Sequence, residues 1–164
     1  MKIRKNVLKV THISNFNPKK RKFIFGSIAD NTIPCNLLGL KILISSLCKL
    51  RQRYSFDFQI RIAGKINSEA EKIIRNTFSI SKDNLEITGY IDEIPEFYKT
   101  LDALLVSSSG GSGIPIKAFE SCINFSGPIF TNYYVRKSAG EFLYFKKNIF
   151  YDPNLFIKFL KFSN

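Results

Sequence analysis

Apolar and polar positions along the chain follow two alternating periods. Phe23-Ile24-Phe25 is a short apolar run closed by Gly26-Ser27, the pattern of a buried strand. From Asn36 to Leu50, apolar residues stand at 37, 38, 40, 42, 43, 44, 47 and 50, which predicts a helix with a broad apolar face. Phe56, Phe58, Ile60 and Ile62 then recur at every second position, a strand ended by Gly64. A helix over Ser68–Phe78 follows, with Asn67 or Ser68 as its N-cap. Next come a strand at Leu85–Thr88 closed by Gly89, a short helix at Ile94–Leu101 and a strand at Ala103–Val106. The polar run Ser107-Ser108-Ser109-Gly110-Gly111-Ser112-Gly113 leads into a helix at Ile114–Phe125. A strand at Pro128–Thr131, a helical stretch over 137–143, a strand at Ile149–Tyr151 and a helix from Leu155 to Phe162 complete the pattern. Strand and helix alternating at this spacing predict an α/β fold with a parallel sheet.

Upstream of Lys22 the pattern is weaker. Val7–Ile13 can form a strand, and Asn15–Lys22 reads as a solvated turn. The basic run Lys19–Lys22 has the composition of a nuclear-localisation or phosphate patch, and equally that of a charged loop. Residues 1–22 are therefore read as a basic lead-in, and 23–164 as one domain.

Composition narrows the function classes. The 164 residues suit one domain of ordinary size, and 45% hydrophobic residues suffice for a packed core. Uninterrupted apolar runs reach only about four residues, against the ~20 that span a bilayer. The basic N-terminus is followed by no apolar stretch of the signal-peptide kind. Cys35, Cys48 and Cys122 are too scattered for a zinc cluster, and a sparse, odd count suits a reducing cytosol. His12 is the one histidine, in a strand-like Val-Thr-His-Ile context, which argues against a His-dependent catalytic triad.

The net charge of +12 admits nucleic-acid binding, an anionic membrane surface, or the Lys-, Ile-, Asn- and Phe-rich composition of an AT-rich genome. Lysine outnumbers arginine, which argues mildly against base or phosphate readout. The charge is also uneven. Residues 1–56 carry twelve Lys and Arg against Asp30 alone, whereas 57–102 carry nine of the thirteen acids.

Parallel sheets bind ligands at the carboxyl ends of their strands. Gly26, Gly64, Gly89 and Gly110/Gly111 fall there, although glycine at such places also simply makes tight turns. The informative segment is Ser107–Glu120, a glycine- and serine-rich loop running from a strand into a helix. Backbone N–H groups and the dipole at a helix start favour a phosphate. No Gly-Lys-Ser/Thr closes the loop, so it is not a Walker motif, and its place late in the chain is not that of a dinucleotide fingerprint. Lys117 and Glu120 lie one turn apart on that helix. Lys117 can reach a phosphate and Glu120 a ribose diol; the alternative is a surface ion pair worth ~0.3–0.5 kcal/mol.

Four blocks, in order, resemble the donor-binding domain of the glycosyltransferase group 1 family, which has the GT-B fold. They are Phe23–Leu43 with its Asn36-Leu-Leu-Gly-Leu helix start, Ile60–Gly64, Leu85–Val106, and the most specific one, Gly111–Glu120, similar to a Gly-x-Pro-x-Lys-x-x-Glu loop and helix. The resemblance covers about two thirds of the chain and implies a Rossmann-like three-layer domain with a parallel sheet. It implies that a nucleotide diphosphate sugar, UDP- or GDP-linked, is the partner, with no metal or other cofactor. Gly26 and Ser27 would lie near the diphosphate, and Gly64 would line the nucleotide groove. Tyr90 and Ile91 would contact the base. Gly110, Gly111, Ser112, Gly113 and Ile114 would cradle diphosphate and sugar beside Lys117, and Glu120 would hold the ribose.

The chain departs from the family pattern in places. Many members carry a glutamate eight positions before Glu120, where Ser112 stands. The usual basic residue and the Lys-Gly at the first helix give way to Asp30, Asn31 and Asn36, with Lys41 a turn later. The interval from Glu120 to Pro128 is one residue longer than usual. A GT-B enzyme binds its acceptor with a separate N-terminal domain, for which this chain has no room. The expectation is thus a donor-binding fragment, truncated at its C-terminus and inactive alone. Its parent enzyme would be a cytoplasmic hexosyltransferase that builds polysaccharide or lipid-linked glycans, with the positive charge favouring the inner face of the membrane. The alternatives are a basic Rossmann-like module that binds nucleic acid or anionic surfaces without catalysis, and a small nucleotide-binding or phosphate-ester enzyme of the doubly wound type.

Overall fold

The computed structural model describes residues 22–78, 84–110, 116–139 and 149–162. The elements run β1 (Phe23–Ile28), α1 (Pro34–Tyr54), β2 (Phe58–Ala63), α2 (Ser68–Phe78), β3 (Leu85–Gly89), α3 (Ile94–Lys99), β4 (Ala103–Val106), α4 (Ile116–Asn124), β5 (Ile129–Thr131), α5 (Tyr133–Ala139), β6 (Ile149–Phe150) and α6 (Pro153–Phe162). The expected strand at Val7–Ile13, with His12, and the basic residues Lys19–Arg21 lie outside the described residues.

The strands form one six-stranded sheet in the order β3-β2-β1-β4-β5-β6, and every pairing is parallel. Successive strand residues face opposite sides, so each strand feeds two cores. On one side Phe23, Phe25, Phe58, Ile60, Ile62, Ala103, Leu105 and Phe130 pack against α1, Ile74 of α2 and Phe156 and Ile157 of α6. On the other, Leu104, Val106 and Ile129 pack against Phe97 and Tyr98 of α3, Ala118 of α4, and Val135 and Ala139 of α5. The result is a three-layer α/β/α domain of doubly wound type, as expected. Among the described residues no helix is long and apolar enough to cross a membrane.

Local chemistry sets the helix ends. Pro34, with no N–H to lose, opens α1, and Ser55 closes it in a left-handed conformation (φ 49°) with its N–H on the Arg51 carbonyl at 3.0 Å. Asn67 caps α2 by accepting the Ala70 N–H at 2.8 Å. Asn132 caps α5 through the Val135 N–H at 3.2 Å, and Asp152 caps α6 through the Asn154 and Leu155 N–H groups at 2.7 and 3.1 Å.

Several boundaries differ from the sequence pattern. β1 does not stop at Gly26-Ser27; it continues to Ile28 because Ser27 and Ile28 pair with Ile62 and Ala63 of β2. α1 starts two residues earlier and runs four residues beyond Leu50, through the exposed Arg51-Gln52-Arg53, which carry no apolar signal. β2 begins at Phe58. Phe56 is nonetheless buried, edge-on to Phe23 at 5.8 Å. The helix expected over 137–143 begins at Tyr133, directly after its Asn132 cap.

The aromatic centre closes the first core. Phe156 of α6 stacks on Phe130 at 4.7 Å between ring centroids and also meets Phe25 at 5.9 Å and Phe150 at 5.8 Å. Its side chain is fully buried. Phe156→Ala is expected to cost ~3–5 kcal/mol, the range for truncating a buried phenylalanine, read as a lowered midpoint in urea denaturation.

Candidate functional site

The strand order reverses between β1 and β4, which lie side by side with Phe25 opposite Ala103 and Gly26 opposite Leu104. From their carboxyl ends α1 leaves over one face of the sheet and α4 over the other. That divergence opens the crevice in which doubly wound folds hold ligands. Neither α1 nor α4 has an acidic residue in its first turn, so both positive helix ends face the crevice unopposed.

Two contacts set the width of this crevice. Gly39 of α1 lies against the backbone of the segment after β4; a Cβ there would come within 2.7–2.8 Å of the N, Cα and C atoms of Ser108. Ser109 then donates both its N–H (3.0 Å) and its hydroxyl (3.1 Å) to the Cys35 carbonyl in the first turn of α1. From the other side Asn132 donates its amide to the Ser108 carbonyl at 2.6 Å. Residues 107–110 are therefore clamped between α1 and the end of β5.

Lys117 crosses this crevice. Its Nζ donates to Asn36 Oδ1 at 2.8 Å, and Asn36 Nδ2 donates to the Asp30 carbonyl at 2.8 Å. Below it is a small cavity lined by Ser27, Val106, Ser107, Lys117 and Ser121. Burial holds the Lys117 ammonium below its ordinary value. The Asp30 carboxylate is turned back onto the Thr32 hydroxyl and N–H, which hold it below its ordinary value.

The loops after β1, β2 and β3 are tied in series. Asn31 donates its N–H to the Lys65 carbonyl at 2.7 Å, and Gly64 donates its N–H to the Gly89 carbonyl at 2.6 Å. Gly64 has φ +97°, and a Cβ there would sit 2.5 Å from the Ala29 carbonyl oxygen, so glycine is required for both conformation and space.

The expected site residues distribute unevenly. Ser27 and Lys117 line the cavity, and Gly110 lies in the clamped segment beside Cys35. Gly26 is placed inside β1, not at its end; the Leu101 side chain occupies the space where its Cβ would be, so packing explains this glycine. Gly64 shapes the β2 loop. Tyr90 is 85% exposed just beyond β3, its ring free to stack, while Ile91 packs into the second core. Glu120 is exposed one turn along α4, and Lys117 turns to Asn36 instead of pairing with it. Gly111, Ser112, Gly113 and Ile114 lie outside the described residues. Asn132, and the contact made by Asn36, emerge only in three dimensions. Asn36 had a signal in the Asn-x-x-Gly-Leu helix start, but its partner is 81 residues away.

The family described as Glycosyl transferases group 1 matches residues 23–123. The chain belongs to this family. No curated protein matches it significantly. Among solved structures, HepE of Anabaena in complex with UDP and glucose superposes with a TM-score of 0.62 at 12% identity, over 87% of this chain and 39% of its own. TarM gives 0.61 at 16% identity, over 93% of this chain and 31% of its own. WaaG, a glycosyltransferase involved in lipopolysaccharide biosynthesis, gives 0.62 at 10% identity, over 89% and 39%. At these identities the likeness is one of fold, that of a Rossmann-like domain of a GT-B glycosyltransferase. The chain spans about two-fifths or less of the length of these proteins.

Two outcomes follow for this glycosyltransferase-family domain. Gly39→Ala drives a methyl group into the Ser108 backbone and is expected to destabilise by ~1–3 kcal/mol, measured by chemical denaturation. Lys117 is the second case. Its folded-state value lies below its unfolded one, so the unfolded chain binds the proton more tightly and stability rises as pH climbs through the folded value. Lys117→Met should flatten that rise in melts taken at alkaline pH below the ordinary lysine value of about 10.4, and at neutral pH the ligand-free variant should melt no lower than the parent.

Proposed function

We propose that this domain binds the nucleotide sugar donor of a glycosyltransferase, in the crevice between the carboxyl ends of β1 and β4. The observation that carries the reading is the half-buried Lys117 ammonium, held at 2.8 Å by Asn36 between two helix N-termini without acidic residues. An ammonium kept out of water costs free energy, and an anionic ligand offsets that cost. In this reading the diphosphate lies over residues 107–110 and the start of α4, close to Lys117 and Ser27. Glu120, one turn on, accepts from the ribose hydroxyls, and the Tyr90 ring lies by the base. As the sugar–phosphate bond breaks, negative charge grows on the diphosphate, and fixed donors with one ammonium stabilise it without reorganising. Transfer to a polysaccharide or lipid-linked acceptor then requires a second domain, so the chain alone binds donor and transfers nothing.

Melting in the presence of UDP, GDP and ADP tests this. One diphosphate at about a hundredfold over its Kd should add ~2.7 kcal/mol, a rise of several degrees for a domain of this size. Glu120→Ala should remove most of that rise. No rise with any nucleotide removes the main support of the reading.

A further inference from the structure

Asn36, in the first turn of α1, meets Lys117 of α4 across the crevice. Its two amide ends do different work. Lysine can only donate and a carbonyl can only accept, so the amide has a single satisfactory orientation: Oδ1 toward Lys117 Nζ, Nδ2 toward the Asp30 carbonyl, both at 2.8 Å. The amide is neutral. It therefore fixes the position of the ammonium without cancelling its charge, which an aspartate at the same place would do. The backbone under Asn36 is itself fixed, since Cys35 next to it receives both Ser109 bonds and Gly39 abuts Ser108. A long, flexible lysine side chain thus meets an incoming anion already ordered.

We propose that Asn36 is the positioning residue for Lys117, presenting its full positive charge to the diphosphate of the nucleotide sugar. This rests on the reading of Lys117 as a diphosphate ligand, and the test separates the two. UDP and GDP are titrated calorimetrically into the chain and into Asn36→Asp, Asn36→Leu, Lys117→Met and the Asn36→Leu/Lys117→Met double variant. Uridine and guanosine serve as phosphate-free counterparts. The parent should prefer a diphosphate over its nucleoside. Both Asn36 variants should cut that preference on the order of tenfold, the scale of one hydrogen bond to a charged group, and leave nucleoside affinity unchanged. Asn36→Leu should add no further loss in the Lys117→Met background. A ligand-independent measurement guards against simple misfolding: acylation of Lys117, followed by mass spectrometry, should speed up several-fold in Asn36→Leu relative to an exposed lysine such as Lys49. Equal losses from Asn36→Leu with and without Lys117 would assign Asn36 to the loop alone and overturn the inference. An unchanged acylation rate would do the same. A parent chain with no preference for diphosphate, or a preference that survives Lys117→Met, overturns the functional reading and this inference with it.

Discussion

The geometry of the crevice depends on how closely α1 can approach the backbone that follows β4. Gly39 permits contact at a distance no side chain allows. Once that contact is made, the rest follows. Ser109 reaches the Cys35 carbonyl, and Asn132 takes the Ser108 carbonyl from the far side. On the same helix α1, Asn36 meets Lys117, which projects from α4. A methyl at position 39 therefore acts on packing and on electrostatics together, because interiors this dense transmit a displacement to the next contact.

The core serves the same end by a separate route. The strands that flank the crevice are buried on both faces, and α6 returns across β1 and β5 to seat Phe156 among Phe25, Phe130 and Phe150. β1 and β4 are thereby held in register from below, while the glycine contact and the asparagine bonds hold the loops above them.

The layers of the fold were legible in the sequence because they depend on local periodicity. Phe58, Ile60 and Ile62 alternate along β2, and the α1 positions 40, 43, 44 and 47 that mark a helical face are all buried. Boundaries were less legible where pairing or capping, not hydrophobicity, decides them. The polar end of α1 carries no apolar mark, and Gly26 looks like a strand end until its β2 and β4 partners are known. Lys117, the half-buried cation of the crevice, stood out by its place in a loop-helix motif. Its partner could not be found that way, since a bond across 81 residues exists only through the strand order. Asn132, which looks like an ordinary turn residue, acquires its role from the same topology.

The charge asymmetry along the chain becomes a spatial one when the sheet is assembled. Nine of the thirteen acids fall between residues 57 and 102, the stretch that places β2 and β3 at one edge of the sheet and α2 and α3 on its opposite faces. Several are already engaged there, Glu86 with Arg61 at 2.7 Å, Glu71 with Arg75 and Glu96 with Lys99. The central crevice inherits the acid-poor first third of the chain. Its one acid, Asp30, is occupied by Thr32, and Asp102 accepts the Ile24 N–H near the opposite end of β1. Two helix ends and the Lys117 ammonium therefore give the crevice a positive bias, with the Glu120 carboxylate exposed one turn along α4. In the proposed reading, a lysine held in place by a neutral amide keeps its whole charge to add to that bias.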